Sequence, residues 1–221
     1  MLKQEQNRLL KGLLKHLDAK TNVDAGGIMK TPAETYISED RFETEWKNFF
    51  QDHPQIIGMS GDLAEANSFF TVNDFGSSII ATRDSAGKFK AYANVCSHRG
   101  AEIEQEKRGV KSKFSCPFHG WTFNNQGSLV GYPQSKQFGE IDKDCYGLTE
   151  LPCLEKYGFL WVHPNSKSEI NLKDLLGVKL EEEFSAWDFN KLIFSHNYHS
   201  ISTSFCNNII KIIFSDHFFT C

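Results

Sequence analysis

The sequence has no apolar stretch near the ~20 residues that a bilayer-spanning helix requires. Its opening, MLKQEQNRLLKGLLKHLDAK, breaks every apolar run with polar side chains and so lacks the h-region of a secretory leader. The expectation is a cytoplasmic chain with no membrane partner. There is no excess of basic charge: 24 Lys and Arg stand against 28 Asp and Glu, for a net charge of −4, and the cations form no stripe. Nucleic acid is therefore not an expected partner. Gly and Pro number 16 and 6, and charged residues make up 24% against 40% hydrophobic, which excludes collagen-like, low-complexity and disordered classes. Cysteine is sparse too, at six in 221 residues. Without secretion, six cysteines point to metal or redox use before disulfides, and spacing must decide which of them matter.

What is present divides into three parts. Residues 1–53 read as helical. Leu2, Leu9, Leu10, Leu13, Leu14 and Leu17 recur at helical spacing, giving an amphipathic helix whose apolar face is expected to rest on another surface. After a Gly-containing break from Asp24 to Lys30, Thr31 and Pro32 begin an extended stretch. Ser38 then caps a helix with Phe42, Trp46, Phe49 and Phe50 on one face. Residues 54–165 change texture to short β-prone runs: FFTV, SIIATR, FKAYANV, KFSC, WTF, SLVGYP and GFLWVHP. These predict an antiparallel β domain, with hairpin tips at Ser85-Ala86-Gly87 and Asn125-Gln126-Gly127. Residues 166–221, the expected start of a truncated catalytic domain, begin with the more helical, acidic LKDLLGV and EEEFSAWDF. The final ISTSFCNNIIKIIFSDHFFTC has neither strand nor helix logic, and its composition is what AT-rich codons give when read out of frame. A frameshift or premature end over 201–221 is the expectation. There is no internal repeat.

Two segments carry the chemistry: Cys96-Ser97-His98-Arg99-Gly100 and, twenty residues on, Cys116-Pro117-Phe118-His119-Gly120-Trp121. Each offers one thiolate and one imidazole. A Rieske-type [2Fe-2S] cluster needs two thiolates on one iron and two neutral imidazoles on the other, so Cys96, His98, Cys116 and His119 form a sufficient ligand set. Gly100 and Gly120 would let backbone approach the inorganic sulfides, and Pro117 stiffens the second loop. A structural zinc site is the competing reading, since two Cys and two His also satisfy tetrahedral zinc. The usual zinc order pairs Cys with Cys and His with His, whereas each loop here mixes them.

These residues also carry a resemblance. NVCSHRGAEI and FSCPFHGWTFNNQGSLVGYP are similar to the cluster loops of the large (α) subunits of Rieske non-haem iron oxygenases, the ring-hydroxylating class, and the likeness runs roughly from Tyr36 to Asn165. The resemblance implies a mainly β fold, an antiparallel Rieske β-sandwich with N-terminal helices and a short α+β C-terminal remnant. It implies electrons arriving from a reductase or ferredoxin and passing to a mononuclear Fe(II) held by two His and one carboxylate, which hydroxylates an aromatic or quaternary-amine substrate. Respiratory Rieske proteins carry an extra Cys in each loop and a Ser and a Tyr just beyond the second. Here Ala101, Phe118, Trp121 and Phe123 occupy those places. No inter-loop disulfide is expected, and without the hydroxyl donors a low potential is.

The expected mononuclear site lies after this domain, where the residues depart from the family. His196, His199, Asp216 and His217 do not show an acidic residue followed by two spaced histidines. No catalytic residue is assigned, the mononuclear iron is expected to be absent, and the family's trimer is not expected to assemble. Cys145 and Cys153 are expected as small buried residues flanking a strand, while Cys206 and Cys221 fall in the doubtful ending. The alternative function is a self-standing Rieske ferredoxin-like carrier. The segments flanking the β domain favour oxygenase ancestry instead.

Overall fold

Alternation decides the architecture. In a computed structural model, which describes residues 2–22, 26–133, 136, 141–187 and 189–191, the central sheet is four-stranded, its strands running across the sheet from Phe89–Ala93 through Ile79–Arg83 and Ser68–Val72 to Arg108–Val110. It is formed by β2 (Ser68–Val72), β3 (Ile79–Arg83), β4 (Phe89–Ala93) and β5 (Arg108–Val110), all antiparallel. Phe69, Ile80 and Tyr92 point to one face, and Phe70, Ile79, Ala81, Phe89 and Ala91 to the other. Both faces are covered, so these strands read as continuous apolar runs instead of polar-apolar alternation.

One face packs on β1 (Gln55–Met59), β10 (Phe159–Val162) and β9 (Cys153–Lys156), in the order β1-β10-β9, through Leu160, Val162 and Leu151. The other packs on a small sheet of β6 (Lys113–Ser115), β7 (Thr122–Asn124) and β8 (Leu129–Gly131), through Phe114, Phe123 and Leu129. The result is the expected antiparallel sandwich. Both hairpin tips form where expected, with Gly87 and Gly127 each at φ +81°, a backbone conformation open to glycine. The guanidinium of Arg83 ties the layers, donating to both carboxylate oxygens of Glu155 at 2.9 and 3.0 Å and to the Leu63 carbonyl at 2.6 Å.

The flanks differ from expectation in three places. Helix α1 (Lys3–Ala19) forms, yet its leucines, expected against another surface, stay open, from 40% exposed at Leu9 to 72% at Leu17. The stretch after Pro32 is not wholly extended, because Glu34–Ile37 closes one helical turn, α2. Ser38 does cap α3 (Glu39–Glu45), accepting from the Arg41 N–H at 3.3 Å, and the helix runs on as a π-helical turn over Trp46–Gln51. Third, Cys145 and Cys153 do not flank a strand. Cys145 is exposed on a 3-10 turn (Lys143–Tyr146), and Cys153, half-buried, opens β9. The acidic segment forms α4 (Leu172–Ala186), capped by Asn171 and broken at Gly177, where φ is +66°. His196, His199, Cys206, Asp216, His217, Cys221 and the ending 201–221 lie outside the described residues.

Candidate functional site

The two motif loops are the same backbone device used twice. In the first, the Cys96 N–H donates to the Ala101 carbonyl and the Gly100 N–H to the Cys96 carbonyl, both at 2.8 Å. In the second, the Cys116 N–H donates to the Trp121 carbonyl at 2.8 Å and the Gly120 N–H to the Cys116 carbonyl at 2.9 Å. Each cysteine thus opens a six-residue loop closed on itself, with glycine four places on at positive φ, +75° at Gly100 and +69° at Gly120. The frames are equal, and only the histidine moves, from two places after the first cysteine to three after the second. That shared Cys-to-Gly spacing is visible in the sequence and is a signal the ligand-by-ligand reading passes over.

The structure also amends the reason for the glycines. A Cβ at Gly120 would lie 2.9 Å from Cγ of Pro133, so that position is closed by packing as well as by backbone conformation. Gly100 faces no atom within 4 Å, and the left-handed turn alone demands it.

All four predicted residues are brought together. Cys96 and Cys116 are both free and 97% buried within the core under the small sheet. Burial pushes the Cys96 thiol up, the N–H groups of His98 and Arg99 beside its sulfur act in the opposite sense, and the adjacent Cys116 thiol adds to the rise. The imidazoles are half-buried at the rim, with ring centroids 4.8 Å apart and planes at 67°. Desolvation, then the nearby His119 and Arg99, hold His98 below the usual imidazole range, which favours the neutral ring. The donors therefore sort by type: thiol beside thiol, imidazole beside imidazole, each pair taking one member from each loop. Among the described residues, no three His, Cys, Asp or Glu side chains are grouped so as to hold a single ion.

Three supports around the loops escape a motif reading. Asn94 is fully buried two residues before Cys96. Its Oδ1 accepts from the N–H groups of Ile103 at 3.1 Å and Glu104 at 2.9 Å, and its Nδ2 donates to the Glu104 carbonyl at 2.7 Å and to Ser78 Oγ at 2.9 Å. It thereby fastens the entry of the first loop to its exit. Ser97 donates to the Tyr146 carbonyl at 2.7 Å, drawing the Lys143–Tyr146 turn over the site. Trp121 lies flat on His98, with centroids 4.8 Å apart and planes within 5°.

Comparison with known proteins agrees with this geometry. Residues 53–156 match the Rieske [2Fe-2S] domain family. The chain is 30% identical to the toluate 1,2-dioxygenase α subunit of Pseudomonas putida over 154 residues, 67% of this chain and 34% of that protein. It is likewise 30% identical to the carnitine monooxygenase oxygenase subunit of Escherichia coli K12 over 153 residues, 68% of this chain and 41% of that one. Among solved structures, a quaternary ammonium Rieske monooxygenase superposes with a TM-score of 0.63 at 27% identity, covering 71% of this chain and 44% of its own. The chain thus spans less than half the length of the relatives it matches.

Proposed function

With a Rieske [2Fe-2S] domain of the oxygenase large-subunit kind as its main body, the chain works, we propose, as a one-electron relay through a cluster held by Cys96, His98, Cys116 and His119. The observation that carries this is the sorting of donors, two buried thiols side by side and two imidazoles side by side at the rim. One zinc ion requires four ligands converging on one point, whereas two irons require two pairs, and thiol beside thiol with imidazole beside imidazole is the arrangement of two pairs. Bound there, a [2Fe-2S] cluster supplies reversible one-electron chemistry. The residues do the rest. Cys96 and Cys116 would hold the cluster as thiolates; burial raises the Cys96 thiol, and the backbone N–H groups of His98 and Arg99 offset part of that rise. His98, its imidazole already biased to the neutral form, would hold the cluster through an uncharged ring nitrogen.

The proposed division is 1–53 as a helical entry, 54–165 as the cluster domain and 166–221 as the start of a catalytic domain. In this reading electrons come from a reductase or ferredoxin and leave toward a mononuclear iron of the family's kind. The relatives' printed activities, on aromatic acids and on carnitine, mark the range of substrate classes for the whole protein. Metal and acid-labile sulfide analysis tests the reading. Two irons and two sulfides per chain are expected, and zinc without sulfide overturns it.

A further inference from the structure

Two imidazoles of the same chemical kind sit in unlike surroundings. His98 lies flat against Trp121, parallel to within 5° at 4.8 Å between centroids. His119 meets the tilted ring of Phe118, its own sequence neighbour, at 3.9 Å and 44°, and Phe118 is 64% exposed. Trp121 is itself immobilised. It is 99% buried, its carbonyl accepts from the Cys116 N–H at 2.8 Å, and its indole meets the rings of Tyr132 at 5.7 Å and Tyr146 at 5.5 Å. The second loop thus supplies the surface on which the first loop's histidine lies.

A histidine ring turns about a broad, roughly two-fold terminal torsion, so something outside the side chain must choose its orientation. A flat stack on a fixed, larger ring does this, because turning the imidazole breaks the ring overlap. Phe118, 64% exposed on the loop surface, has no comparable hold among the described residues. From this asymmetry we infer that Trp121 is a positioning residue for His98 alone: it fixes the plane of one imidazole ligand across the loop boundary and leaves His119 to its own loop. The inference rests on the proposed cluster ligation, and it makes the two histidines inequivalent by design of their surroundings.

The test uses the full chain loaded with iron and sulfide, comparing the native protein with Trp121→Phe and Trp121→Leu. The readout is the pair of ligand-nitrogen couplings in the pulsed EPR spectrum of the dithionite-reduced protein. If the native protein shows no coupled nitrogens, the ligation reading itself falls. With two coupled nitrogens in the native protein, Trp121→Leu is expected to move one and leave the other in place. Trp121→Phe, whose smaller ring can still stack, is expected to move the same one by less. Should Trp121→Leu not load, Trp121→Phe decides alone. Couplings unchanged from native, or both nitrogens moving together as a general loosening would produce, overturn the inference.

Discussion

Replacing Asn94 with alanine measures how far the first ligand loop depends on one amide. The substitution strips three buried backbone groups of their partner: the N–H of Ile103, held at 3.1 Å, and the N–H and carbonyl of Glu104, held at 2.9 and 2.7 Å. Each such orphan costs about 1–3 kcal/mol when it finds no other partner. The vacated amide volume is polar and can admit a water that restores part of this. The net loss is expected on the order of 4 kcal/mol, a large share of the ~5–15 kcal/mol by which domains are stable. Ser78→Ala is the control. Ser78 only shares its hydroxyl between Asn94 and Glu102, at 2.9 and 3.0 Å, so about 1 kcal/mol is expected. Equilibrium urea unfolding reads the stability, and iron per chain reads the site. Asn94→Ala should lower the midpoint and the iron content together. A cost below about 1 kcal/mol with full iron content would refute the claim that this amide closes the loop.

Four further outcomes are expected. Gly120→Ala should lose roughly 2 kcal/mol or more and Gly100→Ala about 1–2 kcal/mol, because both carry the left-handed penalty but only the first meets Pro133; equal losses by urea unfolding would contradict this. Tyr92→Phe should be neutral or stabilising by up to ~2 kcal/mol, since the buried Tyr92 hydroxyl has no hydrogen-bond partner among the described residues, and a clear drop in melting temperature would reveal a partner. The cluster's potential should sit low in the Rieske range, on the order of −150 mV, and Phe123→Tyr should raise it by adding a hydroxyl beside the buried sulfurs; voltammetry giving about +300 mV for the native protein would defeat the argument. Lastly, His163 is buried with Nδ1 accepting from the Asn165 N–H at 3.1 Å, and burial holds its pKa down, with the Asp52 carbonyl opposing this and His53 adding to it. Its contribution is therefore full above the unfolded value of about 6.5 and is lost as pH falls through the lower folded value, so His163→Gln should flatten the dependence of stability on pH below about 6.5.

The cluster loops were legible because their chemistry is written in residue type and spacing, and the central strands because FFTV and SIIATR are apolar on both faces. What stayed hidden has a physical reason in each case. Arg108–Val110 sets an arginine and a strand-weakening glycine beside its one valine, and it becomes β5 by pairing with the edge of β2. Cys153 opens β9 because β10 pairs with that segment, from Val162 against Cys153 to Phe159 against Lys156, a long-range fact that no local pattern carries. The leucines of α1 have the right period for a packed helix, but period says only that a face exists, not that anything among the described residues covers it. Asn94 looked like a strand residue before a motif. Its role comes from the loop's exit returning to within hydrogen-bond reach, which the sequence does not state.

The arrangement of Cys96, Cys116, His98 and His119 also gives the site two unlike sides. Cys96 and Cys116 are rooted in the same core as Phe69, Phe114 and Phe123, so the thiol side of the site is sealed by the two sheets. His98 and His119 emerge at the rim, where the exposed residues include Val95, Ser97, Arg99, Pro117, Phe118 and Tyr146. Under the proposed ligation, a sealed sulfur side would limit solvent rearrangement around added charge, and the imidazole edge would be the short route outward. Equal loop frames make this possible. Because Cys and Gly keep one spacing in both loops while His shifts by a residue, the thiols can share one depth and both imidazoles still reach the same side.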